Sequence, residues 1–151
     1  RGRGASSLAK MDDAAIRRIL EATRTIAVLG AHDDPTKAAC YVPQYLHRMG
    51  YRVLGVNPKL AGQRLHGTTV VATLAELPEP VDMVDVFRRP EQLPAHLPEL
   101  LAMQPRPAVV WLQLGIRHDG VAERLRAAGI EVVQDRCTLA DHRRLGLPPL
   151  A

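Results

Sequence analysis

Five basic side chains follow short apolar runs: Lys37, Lys59, Arg88, Arg89 and Arg136. Guanidinium forks match pairs of phosphate oxygens, and an ammonium adds a compact point charge. Gly30 closes one of those runs, Ile26 to Leu29, and is followed by Asp34-Pro35, a pair that can open a helix. A glycine turn feeding a helix aims backbone N–H groups and the positive end of the helix dipole at one spot. The chemistry on offer is recognition of a phosphorylated ligand. Taken singly, Gly30 fits equally a βα loop that binds nothing, and Arg88-Arg89 fit solvated loop charge. Their relative placement has to decide.

The elements that would place them can be read from the apolar pattern. Leu8 to Thr23 is expected to be an amphipathic helix, with Leu8, Met11, Ala15, Ile16, Ile19 and Leu20 near one face. Ile26–Leu29 reads as a buried parallel strand. A helix should begin at Pro35, capped by Asp34, run through Tyr41, Tyr45 and Leu46 to Met49, and end at Gly50. Tyr51–Val56 is the second strand, stopped by Asn57-Pro58. A turn-rich connection follows, with a short extended piece near Arg64-Leu65 and one helical turn over Thr73–Leu77. Val81–Phe87 is the next strand. Glu91–Met103 is expected to be a helix, tolerating Pro94 in its first turn and kinked or shortened by Pro98. Ala108–Leu112 and Ile130–Val133 are strands, Asp119–Ala128 is a helix, and Thr138–Arg144 is a last helical turn.

Strands alternating with helices imply a parallel sheet covered on both faces. Ligands of such sheets bind at the carboxyl ends of the strands, where the strand order reverses. Five stretches should share that edge: Gly30–Lys37, Asn57–Lys59, Phe87–Pro90, Gln113–Gly115 and Asp135–Cys137. Together they hold most of the unusual loop chemistry of the chain. That coincidence is the argument for a ligand site.

Other chemistries find little support. The 151 residues suit one domain with an aliphatic core, because aromatics are only 3%. So few aromatics disfavour base stacking, and the net charge of +4 is scattered rather than gathered in a stripe, so nucleic acid is not expected as a partner. No apolar run reaches membrane-spanning length. Cys40 and Cys137 are not a CxxC pair and read as free thiols in a reducing cytoplasm, Cys40 packed in the core and Cys137 inert. The histidines show no metal spacing. His32 lies in the glycine loop, and His47, His66, His96, His118 and His142 are expected to face solvent. No nucleophile elbow or Ser-His-Asp pattern is present. Asp82 and Asp85 point to opposite faces of one strand and are not an acid–base pair. Residues 1–7 read as a flexible leader, 8–146 as the domain and 147–151 as a tail.

An NAD site carries Gly-x-Gly-x-x-Gly and an acid after the second strand. This chain has Gly30 alone there, and Asn57 in place of the acid. The blocks Val28-Leu29-Gly30-x4-Pro35-x-Lys37, Gly50-Tyr51-Arg52-Val53 with Val56-Asn57-Pro58, Pro80–Arg89, Trp111-Leu112-Gln113-Leu114-Gly115 and Asp135-Arg136-Cys137 resemble the small stand-alone CoA-binding proteins. Those are similar to the CoA-binding domain of the succinyl-CoA synthetase α-subunit and of ADP-forming acyl-CoA synthetases. The resemblance spans Thr25 to His142.

It implies a Rossmann-like, doubly wound, mainly parallel α/β sheet in a single domain with an N-terminal helix. It also implies coenzyme A, or an acyl-CoA, bound through its nucleotide portion by a non-catalytic module. By the same resemblance Gly30, Ala31, His32, Pro35 and Lys37 lie at the phosphates, and Asn57, Pro58 and Lys59 beside the nucleotide. Phe87, Arg88 and Arg89 lie against adenine or ribose phosphate, and Gln113, Leu114 and Gly115 near the pantetheine or the floor of the cleft. Asp33 and Asp34 depart from the family pattern, as does Lys37 in place of an arginine. Two carboxylates beside a phosphate repel it unless they turn away or cap the helix. Two alternatives stand beside this reading: an NAD(P)- or nucleotide-linked enzyme, and a regulatory protein with a vestigial cleft. The sequence names no protein partner.

Overall fold

The computed structural model describes residues 11–151. The leader at 1–7 and the expected start of the first helix at Leu8 lie outside the described residues. Helix α1 spans Asp13–Ala22, and Met11 and Asp12 precede it in non-helical conformation. Asp12 is its cap, taking the Ala15 N–H at 2.9 Å. Ile16, Ile19 and Leu20 form the buried face that the 3.6-residue period required.

The sheet has five strands in the order β2-β1-β5-β6-β7. They are β1 (Thr25–Leu29), β2 (Arg52–Val56), β5 (Met83–Val86), β6 (Val109–Leu112) and β7 (Glu131–Val133). Every pair is parallel. β3 (Arg64–Leu65) and β4 (Thr68–Thr69) form a separate antiparallel hairpin, of which the sequence showed only the first arm. α2 (Ala38–Arg48) and α5 (Thr138–Arg144) join α1 over one sheet face, packing Val42, Leu46 and Leu139 there. α3 (Leu93–Leu101) and α4 (Asp119–Ala127) cover the other with Leu93, Leu100, Val121 and Leu125. Val84 and Val86 of β5 belong to the second cluster and Met83 to the first, as a two-residue period demands. Among the described residues, no helix is long and apolar enough to cross a membrane.

Two further helix starts differ from expectation. Asp34 does not cap α2: its Oδ1 takes the N–H and hydroxyl of Thr36, at 2.9 and 2.8 Å, and Lys37 N–H closes the turn on the Asp34 carbonyl. An aspartate that reaches the amide two residues on makes a turn, so Lys37 becomes the cap position and the helix begins at Ala38. α3 is preceded by a 3-10 turn, Pro90–Gln92, and ends at Leu101. Pro98 sits inside it without an N–H to give, which accounts for the shortening. At the other end of the chain Leu147 is buried against the α1 side, and the Leu150 N–H reaches the Met49 carbonyl.

From β1 the chain crosses to β2 on one side and then returns to β5 on the other. The carboxyl ends of β1 and β5 are therefore the point where the connections part, and a crevice opens there.

Candidate functional site

Gly30 leaves β1 at φ 89°. A Cβ on it would stand 2.6 Å from the Phe87 carbonyl oxygen and 2.9 Å from Arg88 Cδ. Glycine is needed twice here, for the left-handed backbone and for the close approach of β5. The turn drops the Gly30 and Ala31 N–H groups onto the Val56 carbonyl, at 2.9 and 3.3 Å. His32 N–H goes to Ala39, Asp34 N–H to His32 Nδ1, and Thr36 and Lys37 N–H into the Asp34 turn. The amides of Gly30, Ala31, His32, Asp34, Thr36 and Lys37 are thus already engaged. Side chains supply the charge for an anion.

Those side chains meet in a cleft of about 570 Å³ at the switch between β1 and β5. Of the residues named from the sequence, Gly30, His32, Asn57, Pro58, Lys59 and Arg88 line it. Asn57 braces one wall: its Nδ2 donates to the Ala31 carbonyl at 2.8 Å and its Oδ1 takes the Lys59 N–H at 2.9 Å. This side chain joins the β1 and β2 loops and starts the 3-10 turn Pro58–Leu60 that carries Lys59. Neither Lys59 nor Arg88 has a carboxylate partner among the described residues.

The two acids of the loop separate. Asp34 faces into its own turn, and the Thr36 amide and hydroxyl hold its carboxyl below the usual range. Asp33 remains in the cleft lining. His32 Nδ1 accepts the Asp34 N–H at 3.0 Å, so the ring proton is on Nε2 and the 3.6 Å approach of Nδ1 to Asp33 is not an ion pair.

The remaining sequence candidates lie outside this cleft. Ala31 is buried beneath the loop, and Pro35 and Lys37 occupy the turn before α2. Phe87 packs on the α1 side of the sheet, while Arg89 is exposed at the head of the 3-10 turn. Gln113 is buried with its Oε1 taking both the N–H and the hydroxyl of Thr138. Leu114 is 70% exposed beside it, and Gly115 N–H is tied to Asp135. Arg136 is not a spare cation, because Asp141 takes its Nε and a terminal nitrogen at 2.7 and 2.8 Å.

Sequence reasoning missed His96 and Glu99. Both line the cleft from α3, where Arg88 Nε meets His96 Nε2 at 3.1 Å and His96 Nδ1 meets Glu99 Oε2 at 2.9 Å. The available signal was their i, i+3 spacing on the helix that follows Arg88-Arg89-Pro90. His96 is not the solvent-facing residue the sequence suggested, and neither are His66 and His142. His142 is 1% exposed, bonded to the Tyr45 hydroxyl at 2.7 Å, and burial pushes its imidazole below the ordinary range. Burial acts the same way on His66, which meets Gln44.

Under the same sheet edge sits Asp85, wholly buried in β5. Its Oδ2 lies 3.2 Å from Thr138 Oγ1 and its Oδ1 has no partner. Burial drives its carboxyl well above the usual range, which favours the protonated form.

A family model described as CoA binding domain matches residues 24–143. The chain belongs to this family. The protein YneT of Bacillus subtilis (strain 168) is similar: it is 33% identical over 129 residues, 85% of this chain and 93% of that one. A solved structure from Thermus thermophilus is 53% identical with a TM-score of 0.85, covering 89% of this chain and 99% of that chain. The dinucleotide forming acetyl-coenzyme A synthetase 1 of Ca. Korarchaeum cryptofilum, in complex with phosphate and ADP, shares the fold at 18% identity and a TM-score of 0.60. The match covers 72% of this chain and a quarter (25%) of that longer one. Within the family's Rossmann-like α/β frame, the cleft occupies the switch point of the sheet.

Proposed function

We propose that this chain binds coenzyme A, or an acyl-CoA, by its nucleotide portion and carries out no reaction of its own. The observation that carries this reading is the pair of uncompensated cations, Lys59 and Arg88, lining a cleft at the switch point of a CoA-binding-family sheet. Phosphate oxygens would face these two side chains, with His32 Nε2–H as a further donor. Gly30 and Asn57-Pro58 would set the walls around the nucleotide. Lys37, Arg89 and the Gln113–Gly115 turn would act from outside the cleft, along the same sheet edge.

Calorimetry with CoA, dephospho-CoA, NAD and NADP tests the reading. Saturable binding of CoA, weakened by removal of the 3′-phosphate, supports it. Equal affinity for CoA and dephospho-CoA removes the arginine's assigned part. Binding of NAD(P) in place of CoA would favour a nucleotide-linked enzyme. The engaged loop amides and the presence of Asp33 favour one other reading, a regulatory module with a vestigial cleft. In that case none of the four ligands raises the melting temperature.

A further inference from the structure

We propose that His96, fixed in its Nδ1–H form by Glu99, is the positioning residue that aims the Arg88 guanidinium into the cleft. For the identity of the bound anion the proposal rests on the CoA reading; the positioning itself is a property of the unliganded protein. Arginine Nε can only donate. The His96 nitrogen facing it at 3.1 Å must therefore be a bare lone pair. The imidazole then carries its proton on Nδ1, which points at Glu99 Oε2, 2.9 Å away. Glu99 Oε1 is engaged too, by the Leu74 N–H at 3.2 Å. Every atom along this line has one permitted role.

The chain of roles explains the residue types. Glu99 must accept on both oxygens, which a carboxylate does and an amide does not. A glutamine there would turn its NH2 either toward the Leu74 N–H or toward His96. In the second case the imidazole proton moves to Nε2 and opposes the Arg88 Nε–H. On its other side the Arg88 stem lies against Gly30, whose missing Cβ would sit 2.9 Å from Arg88 Cδ. The guanidinium is thus held at Nε and along its stem. Its two terminal nitrogens have no acceptor among the described residues and remain for a phosphate.

The test uses the whole chain in four forms: wild type, His96→Ala, His96→Gln and Glu99→Gln. In the unliganded protein, 15N NMR reads the His96 tautomer and the solvent exchange of the Arg88 Nε–H. We expect the Nδ1–H tautomer, with slow Arg88 exchange in wild type and in His96→Gln, whose amide oxygen replaces the acceptor. Exchange should be fast in His96→Ala; in Glu99→Gln it should be fast if NMR reads the Nε2–H tautomer and slow if it reads Nδ1–H. Calorimetry with CoA should show affinity about tenfold weaker wherever exchange is fast and within about threefold of wild type in His96→Gln. An Nε2–H tautomer, unprotected Arg88 Nε–H in wild type, or unchanged affinity in His96→Ala overturns the proposal. If wild type takes no CoA, the functional reading fails separately. The NMR result then decides the positioning role, with inorganic pyrophosphate as the anion probe.

Discussion

Replacing Asp85 with asparagine should change how stability depends on pH, and the sign follows from the geometry. Thr138 has one hydroxyl proton and two candidate acceptors, Gln113 Oε1 at 3.0 Å and Asp85 Oδ2 at 3.2 Å. Both contacts are satisfied only when Asp85 is protonated and donates to Thr138, which donates onward to Gln113. The folded pKa lies well above the ordinary value of 3.8. Below that value both folded and unfolded chains hold the proton, and the stability is fully present. Above it the unfolded chain releases the proton and the folded chain keeps it, so stability falls as pH rises, until the folded group itself ionises. The slope approaches about 1.4 kcal/mol per pH unit. Between the unfolded value and the raised folded one, this group costs wild type stability that the variant does not lose. Asparagine can donate to Thr138 as the acid does, but its second amide hydrogen is left unpaired, a pH-independent cost of about 1–3 kcal/mol. The variant should therefore be the less stable protein at pH 4, with the gap narrowing as pH rises. Urea unfolding followed by circular dichroism at three pH values gives the difference, in which the other titrating groups cancel. Parallel curves for the two proteins would refute a neutral Asp85.

Three further outcomes are expected. Gly30→Ala should lose about 2–3 kcal/mol in chemical denaturation, from a strained positive φ and contact with Phe87 and Arg88, and should weaken CoA binding as Arg88 is displaced. Asp33→Asn removes a negative charge from the cleft lining; calorimetry at low salt should show CoA binding about threefold tighter, an effect that shrinks at high ionic strength. Asp82→Ala strips the acceptor from the Arg24 and Thr25 N–H groups, at 2.9 and 3.0 Å, and should lower the unfolding free energy by about 2 kcal/mol with little change in CoA affinity.

The strands were legible because each is a short, mostly apolar run followed within a few residues by polar or turn-forming residues, and the parallel order followed from their alternation with helices. The crevice between the Gly30 turn and Arg88 followed from that order. The fate of the loop residues was less accessible. Asp34 before Pro35 suits a helix cap and a local turn equally, and only the position of Thr36 decides between them. Gly30 and Ala31 looked like free donors because the Val56 carbonyl that takes them lies 25 or more residues away in the chain. Arg136 looked available because its partner, Asp141, sits one helical turn into α5. His96 and Glu99 carry no motif, and their part depends on α3 packing beside the end of β5.

The double anchoring of the glycine turn on Val56 has a consequence for how a guest is received. A segment whose amides are already engaged has little freedom left to surrender when a ligand arrives. The conformational entropy lost on association then falls mainly on the Lys59 side chain, and hydrogen–deuterium exchange of residues 30 and 31 should stay the same whether the cleft is empty or full.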